Sequence, residues 1–130
     1  MSTDPYTIVS FEDVDNPAPR FGMGDSMDTR FAREALGLQN SGVSRFRIGP
    51  SFRTPFGHKH AEQEEVYVVL SGSARVKLDD DIVDLKQWDT LRIAPGVMRC
   101  VESGPDGCEM ILVGAPNPRD TEMVPGWWAD

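Results

Sequence analysis

The chain has 130 residues, a length that points to one domain with room for a single core. Thirteen Lys and Arg against 21 Asp and Glu give a formal charge of −8, which disfavours nucleic-acid backbones and anionic membranes as partners. Hydrophobic residues make up 39%, too many for a disordered polar chain, yet no apolar run reaches the about 18 residues of a membrane helix.

The start, Met1-Ser2-Thr3-Asp4-Pro5, lacks a basic region followed by an apolar one, so no export signal is expected and the expected compartment is the cytoplasm. Residues 1–20 are polar and carry Asn16-Pro17-Ala18-Pro19, which reads as an arm with one strand over residues 6–11. Over residues 28–38, Phe31, Ala32, Ala35 and Leu36 recur at helical spacing, and Gly37 is placed to end a short helix. From Val43 the period becomes two. Ser44, Phe46 and Ile48 alternate with Arg45 and Arg47 until Gly49-Pro50 breaks the run. Arg45 and Arg47 share one face, either the surface or the cavity.

Residues 66–70, Val-Tyr-Val-Val-Leu, read as a strand buried on both faces or lying at a subunit interface. Ser71-Gly72-Ser73 reads as a turn. Ala74, Val76 and Leu78 then alternate with Arg75 and Lys77, and Asp79-Asp80-Asp81 reads as a solvated turn. Further short strands are predicted over residues 82–85, 90–94, 97–101 and 110–113. Pro95-Gly96 and Pro105-Asp106-Gly107 supply turns between them. Twelve Gly and ten Pro punctuate the chain throughout, as short strands require and long helices do not. Together these features predict an all-β sandwich or barrel. Cys100 and Cys108 flank the last turn and so belong on neighbouring strands. With no CxxC spacing they read as small buried apolar residues, not ligands or nucleophiles. The tail with Trp127-Trp128 is too apolar to lie free and should pack on the barrel or on a second subunit.

The chain has only two histidines, in Gly57-His58-Lys59-His60-Ala61-Glu62-Gln63-Glu64-Glu65. On a strand, His58 and His60 share one face and Lys59 takes the other. Glu65 shares parity with Tyr67 and Val69, so it faces the interior if they do. Two imidazoles and a carboxylate suit a borderline transition metal and leave coordination positions open.

His58, His60, Glu65 and Gly72 have the spacing of the first motif of the cupin superfamily, which the chain resembles over residues 43–113. The second motif is matched by Trp88-Asp89 and Pro95-Gly96, with Arg99 shortly after. The wording of residues 62–72 looks closest to small single-domain bacterial cupins. The resemblance implies an all-β double-stranded β-helix, or jelly-roll barrel, over residues 43–116. It would carry an N-terminal arm with a short helix (1–42) and a C-terminal tail (117–130), and it would form a homodimer. Two residues depart from the pattern. Trp88 stands where Gly is usual, and it is expected to cap a turn at the barrel end. Arg99 stands where the fourth metal ligand, a His, is expected. Arginine has no acceptor lone pair and cannot ligate a metal.

Three states of the site follow. His58, His60 and Glu65 would hold Fe, Mn, Ni or Zn with Arg99 and Tyr67 binding a small anionic substrate, as in an oxygenase or isomerase. Alternatively, Arg99 would pair with Glu65 in a metal-free barrel that binds or senses a small ligand. In the third state the polar cluster would only satisfy itself inside a filled barrel.

Overall fold

The computed structural model describes residues 4–114 and 118–130. The strands are β1 (Met27–Phe31), β2 (Gly42–Ile48), β3 (Phe56–His60), β4 (Glu65–Leu78), β5 (Asp81–Lys86), β6 (Thr90–Ile93), β7 (Arg99–Gly114) and β8 (Thr121–Pro125). All pair antiparallel in one curled sheet. β4 and β7 run side by side along its whole length. At one end they are flanked by β6 and by β2 with β1, and at the other by β5 and by β3 with β8. Both ends of the sheet therefore share two strands, and the sheet closes around one interior. The fold is all-β, a double-stranded β-helix, as the alternation and turn spacing predict. Among the described residues no helix is long and apolar enough to cross a membrane.

Two predicted turns are not turns. β4 continues through Ser71-Gly72-Ser73, and β7 continues through Pro105-Asp106-Gly107. The chain bends there instead, because the β4–β7 register slips between Gly72↔Cys108 and Ala74↔Ser103. The extra residues of β7 kink the strands and carry them around the barrel. Gly72 is at φ +72°, and a Cβ there would meet the Gly107 carbonyl oxygen, so the bend admits no side chain. Cys100 and Cys108 consequently lie on the same strand, not on neighbours. Burial raises both thiol pKa values, that of Cys108 to about 11, so both remain protonated.

The N-terminal expectations also change. The strand over residues 6–11 does not form, and the chain runs unpaired into a 3-10 turn, Phe11–Asp13. The helical pattern over residues 28–38 divides into β1 and a short helix α1 (Arg33–Leu36) that Gly37 ends. Pairing of β1 with β2, from Met27↔Ile48 to Phe31↔Ser44, overrides the local helical spacing. The boundary expected between residues 116 and 117 falls outside the described residues.

The alternation in β2 is as read: Phe46 and Ile48 pack into the core. Arg45 and Arg47 take the outer face. There Glu12 of the arm reaches Arg45 at 2.8 Å, and the Phe11 ring lies beneath its guanidinium. Tyr67 and Val69 of β4 point inward and are buried, while Val66, Val68 and Leu70 are half-buried on the outside. That strand is therefore sunk on one face only. The tail lies against the barrel. Trp128 is buried, with the Arg53 guanidinium 4.1 Å from its ring centroid.

Candidate metal and ligand site

One cavity, of about 390 Å3, runs into the barrel. Its walls are mostly apolar, with Phe46, Ile48, Phe56, Met110, Leu112 and Met27 among them. Pro17, Ala18 and Phe21 of the arm also line it. Its volume lies within the about 300–1,000 Å3 usual for small-molecule sites. The polar groups are His58, His60, Glu65, Tyr67 and Arg99, joined by Thr29, Ser44, Thr54 and Thr121.

β3 brings both imidazoles inward from alternate positions, with ring centroids 5.0 Å apart. Glu65 opens β4, and β7 begins with Arg99, the register partner of both His58 and Leu78. The ligand atoms of His58, His60 and Glu65 all lie within 4.8 Å of one another. Glu65 Oε1 is the meeting point: His60 Nε2 lies 3.2 Å from it and His58 Nε2 3.6 Å. Neighbouring ligand atoms around a metal with bonds of about 2.0–2.2 Å stand about 3.0–3.5 Å apart, so this set is spaced to receive one. His60 Nε2 is buried, and the Glu65 carboxylate lies 3.2 Å from it. A metal ion at this point would take the two imidazole nitrogens and the carboxylate oxygen as ligands. The three residues therefore fit a metal ion.

Arg99 is fully buried. Its Nη1 donates to Glu65 Oε1 at 2.7 Å and its Nη2 reaches the Ala94 carbonyl at 3.5 Å. Among the described residues its Nε has no partner. Burial works against the charge of Glu65, but the His58 and His60 rings outweigh it and hold the carboxyl at about 2. Burial likewise opposes a charge on His60. The Glu65 and Asp120 carboxylates more than compensate, against a smaller opposing effect of Arg99, and raise its pKa. Tyr67 is buried, and burial with the Glu65 charge keeps its phenol protonated well above the ordinary range.

The residues singled out from the sequence are thus gathered at one cavity. Asp120, Gln63 and Thr121 were not singled out. Asp120 Oδ1, Gln63 Nε2 and Thr121 Oγ1 each lie 3.0 Å from His60 Nδ1. Gln63 sits inside the histidine motif but carries no spacing signal of its own. Asp120 and Thr121 reach the site only because β8 pairs with β3, His60↔Thr121. Trp88 is exposed, at φ +72° in the turn between β5 and β6. Its N–H donates to the Val69 carbonyl at 2.7 Å. The left-handed backbone accounts for a Gly being usual at this position.

No family model matches the chain, and no curated protein does. Solved structures do. A cupin protein from Bacteroides fragilis superposes with a TM-score of 0.67 at 21% identity, over 98% of this chain and 91% of that one. The polyketide cyclase RemF from Streptomyces resistomycificus gives 0.72 at 20%, over 95% and 87%. Oxalate decarboxylase from Bacillus subtilis gives 0.71 at 22%, over 92% of this chain but only 33% of that larger one. At such identities likeness speaks for architecture and not for activity: this chain is a small barrel with the cupin fold.

Proposed function

We propose that the protein is a metal-dependent enzyme acting on a small molecule with an apolar body and one oxygen-bearing or anionic end. His58, His60 and Glu65 hold a divalent transition metal (Fe, Mn, Ni or Zn), and the cavity holds the substrate's body. The observation that carries this reading is the convergence of the His58, His60 and Glu65 ligand atoms, all within 4.8 Å of one another, at the cavity. A metal there would act as a Lewis acid on a substrate oxygen or bind dioxygen, as an isomerase or an oxygenase requires. Arg99 neutralises Glu65 and places a guanidinium beside developing negative charge. Protonated Tyr67 offers a hydroxyl at the same cavity. The Phe and Met walls exclude water from the apolar part of the substrate. Structures with this fold include a polyketide cyclase and a sugar phosphate isomerase from Silicibacter pomeroyi, so the fold accommodates more than one kind of reaction on small molecules.

Elemental analysis of the dialysed protein tests the reading. About one metal per chain is expected for one such site, with loss in His58→Ala. Protein without metal, whose melting temperature does not move on adding Fe, Mn, Ni or Zn, sinks it.

A second reading rests on the Arg99–Glu65 pair at 2.7 Å, which already gives the carboxylate a partner. In it the barrel is a metal-free binding or sensing module. It predicts a ligand that stabilises the fold in the presence of chelator, with the effect lost in Arg99→Ala.

A further inference from the structure

We propose that the bound molecule carries a carboxylate beyond its apolar body, and that Arg33 of α1 binds this carboxylate in a second groove opening onto the same site. The inference rests on the cavity taking a small molecule with an apolar body, and it does not depend on the metal.

The barrel cavity is not the whole of the space at His60 and Glu65. A separate groove of about 470 Å3 is lined by the same two residues, and it shares Phe31, Ser44 and Thr121 with the cavity. Its other walls come from α1, with Arg33 and Glu34, and from Gly42 and Gly114 at the ends of β2 and β7. Gly42, Gly114 and Glu65 are register neighbours on β2, β7 and β4, so the two positions in line with Glu65 have no side chain. A Cβ on Gly114 would stand 3.3 Å from Glu65 Cγ and 2.9 Å from Gln63 Oε1. Glycine there keeps the groove open up to the carboxylate. A molecule seated in the cavity can therefore extend past Glu65 into the groove.

Arg33 is the cation of this groove. Its backbone is fixed on both sides. Ala32 is buried and donates its N–H to the Val43 carbonyl at 3.0 Å, and the Arg33 carbonyl accepts the Leu38 N–H at 3.0 Å. Among the described residues the Arg33 side chain makes no ion pair and no hydrogen bond, and its Nε is buried without a partner. That sets it apart in a chain where Asp and Glu outnumber Lys and Arg by 21 to 13. Arg30, Arg45, Arg53, Arg75 and Arg99 each stand within 2.8 Å of a carboxylate. A half-buried guanidinium with unused donors suits an oxyanion, and its planar fork matches a carboxylate. Two acids also line the groove. Asp15 is already paired with Arg20, and Glu34 is exposed. Their charges favour a singly charged carboxylate over a phosphate dianion.

Calorimetric titration of the full-length protein in chelator tests the proposal. The probes are 2-naphthol, (2-naphthyloxy)acetate and 4-(2-naphthyloxy)butanoate, with the neutral amide of each acid as its control. Wild type should bind at least one acid about tenfold more tightly than its amide, the usual worth of a charge-assisted hydrogen bond. In Arg33→Gln acid and amide should bind equally. Gly42→Leu adds bulk to the groove but not to the cavity, since Gly42 lines only the groove and a Cβ there meets just the Gly114 carbonyl oxygen at 3.5 Å. It should lower the preference for the acid as well. Wild type that binds 2-naphthol yet prefers neither acid overturns the proposal and leaves the apolar cavity standing, whatever the variants do. A preference kept in Arg33→Gln overturns it too, by giving the carboxylate to another group. Failure to bind 2-naphthol removes the apolar-cavity reading and this proposal with it. The metal reading is decided apart from all of these, by the metal content of the dialysed protein.

Discussion

A guanidinium buried 2.7 Å from Glu65 cancels the carboxylate's charge before any cation arrives. Arg99 therefore has two separable effects. It satisfies a buried carboxylate, and it repels a metal. In Arg99→Met the metal-free protein should lose about 3 kcal/mol, the lower end for breaking a buried pair, because the two imidazoles stay beside Glu65. Denaturant unfolding in chelator measures this. Its metal affinity should rise about tenfold or more, since the removed guanidinium repels a cation held by the carboxylate it touches, and like charges at close range cost more than about 1 kcal/mol even at an effective dielectric constant of about 20. Arg99→His, which supplies a fourth ligand type at the same register position, should tighten binding further. Competition with a chromogenic chelator reads both, and unchanged affinity in both variants would show that Arg99 does not face the metal. Trp88 offers a simpler case. It is 68% exposed and held at φ +72°. Trp88→Gly gives up little burial and relieves a strained backbone, so it should raise stability by about 1 kcal/mol.

β7 ties the barrel together, and Glu102 shows how an element transmits that. It accepts from Arg53 at 2.8 Å and from Arg75 of β4 at 2.7 Å. The same two guanidinium groups lie over the Trp128 ring. The Arg75 hydrogen bond, with both arginine charges, outweighs burial and lowers the Glu102 pKa. A carboxyl with a depressed folded-state pKa stabilises fully above its unfolded value, about 4.3, and that stability is lost as pH falls through the folded value. Glu102→Gln should cost about 1 kcal/mol at neutral pH and little at pH 2, which urea unfolding at both values checks. Elements also show where local reading fails. A Gly flanked by Ser, and a Pro-Asp-Gly, usually turn a chain. Here both sit inside long strands because the bend of one strand is matched by the bend of its partner, a relation between residues 72 and 107 that no local window contains.

At the scale of the whole molecule, the apolar walls narrow the ligand class more than the charge of −8 does. An aromatic probe with one oxygen group, such as 2-naphthol, should raise the melting temperature, whereas glucose should not. Occupancy at about 100 times Kd is worth about 2.7 kcal/mol, well within reach of a thermal-shift titration. A matched response to both probes would contradict an apolar cavity. The sequence by itself determined the all-β class, the side of the strand that His58 and His60 share, and, through its likeness to the cupin motif, the absence of a third imidazole ligand. These follow from period-two alternation and from the chemistry of single residues. Only the tertiary structure decided that Arg99 lies on Glu65, that the arm lines the cavity, and that Asp120 stands behind His60. Each of these brings together residues far apart in the chain, 34 for Arg99 with Glu65 and 60 for Asp120 with His60. Such contacts depend on which strands pair and where the sheet bends, and those properties belong to the closed barrel as a whole.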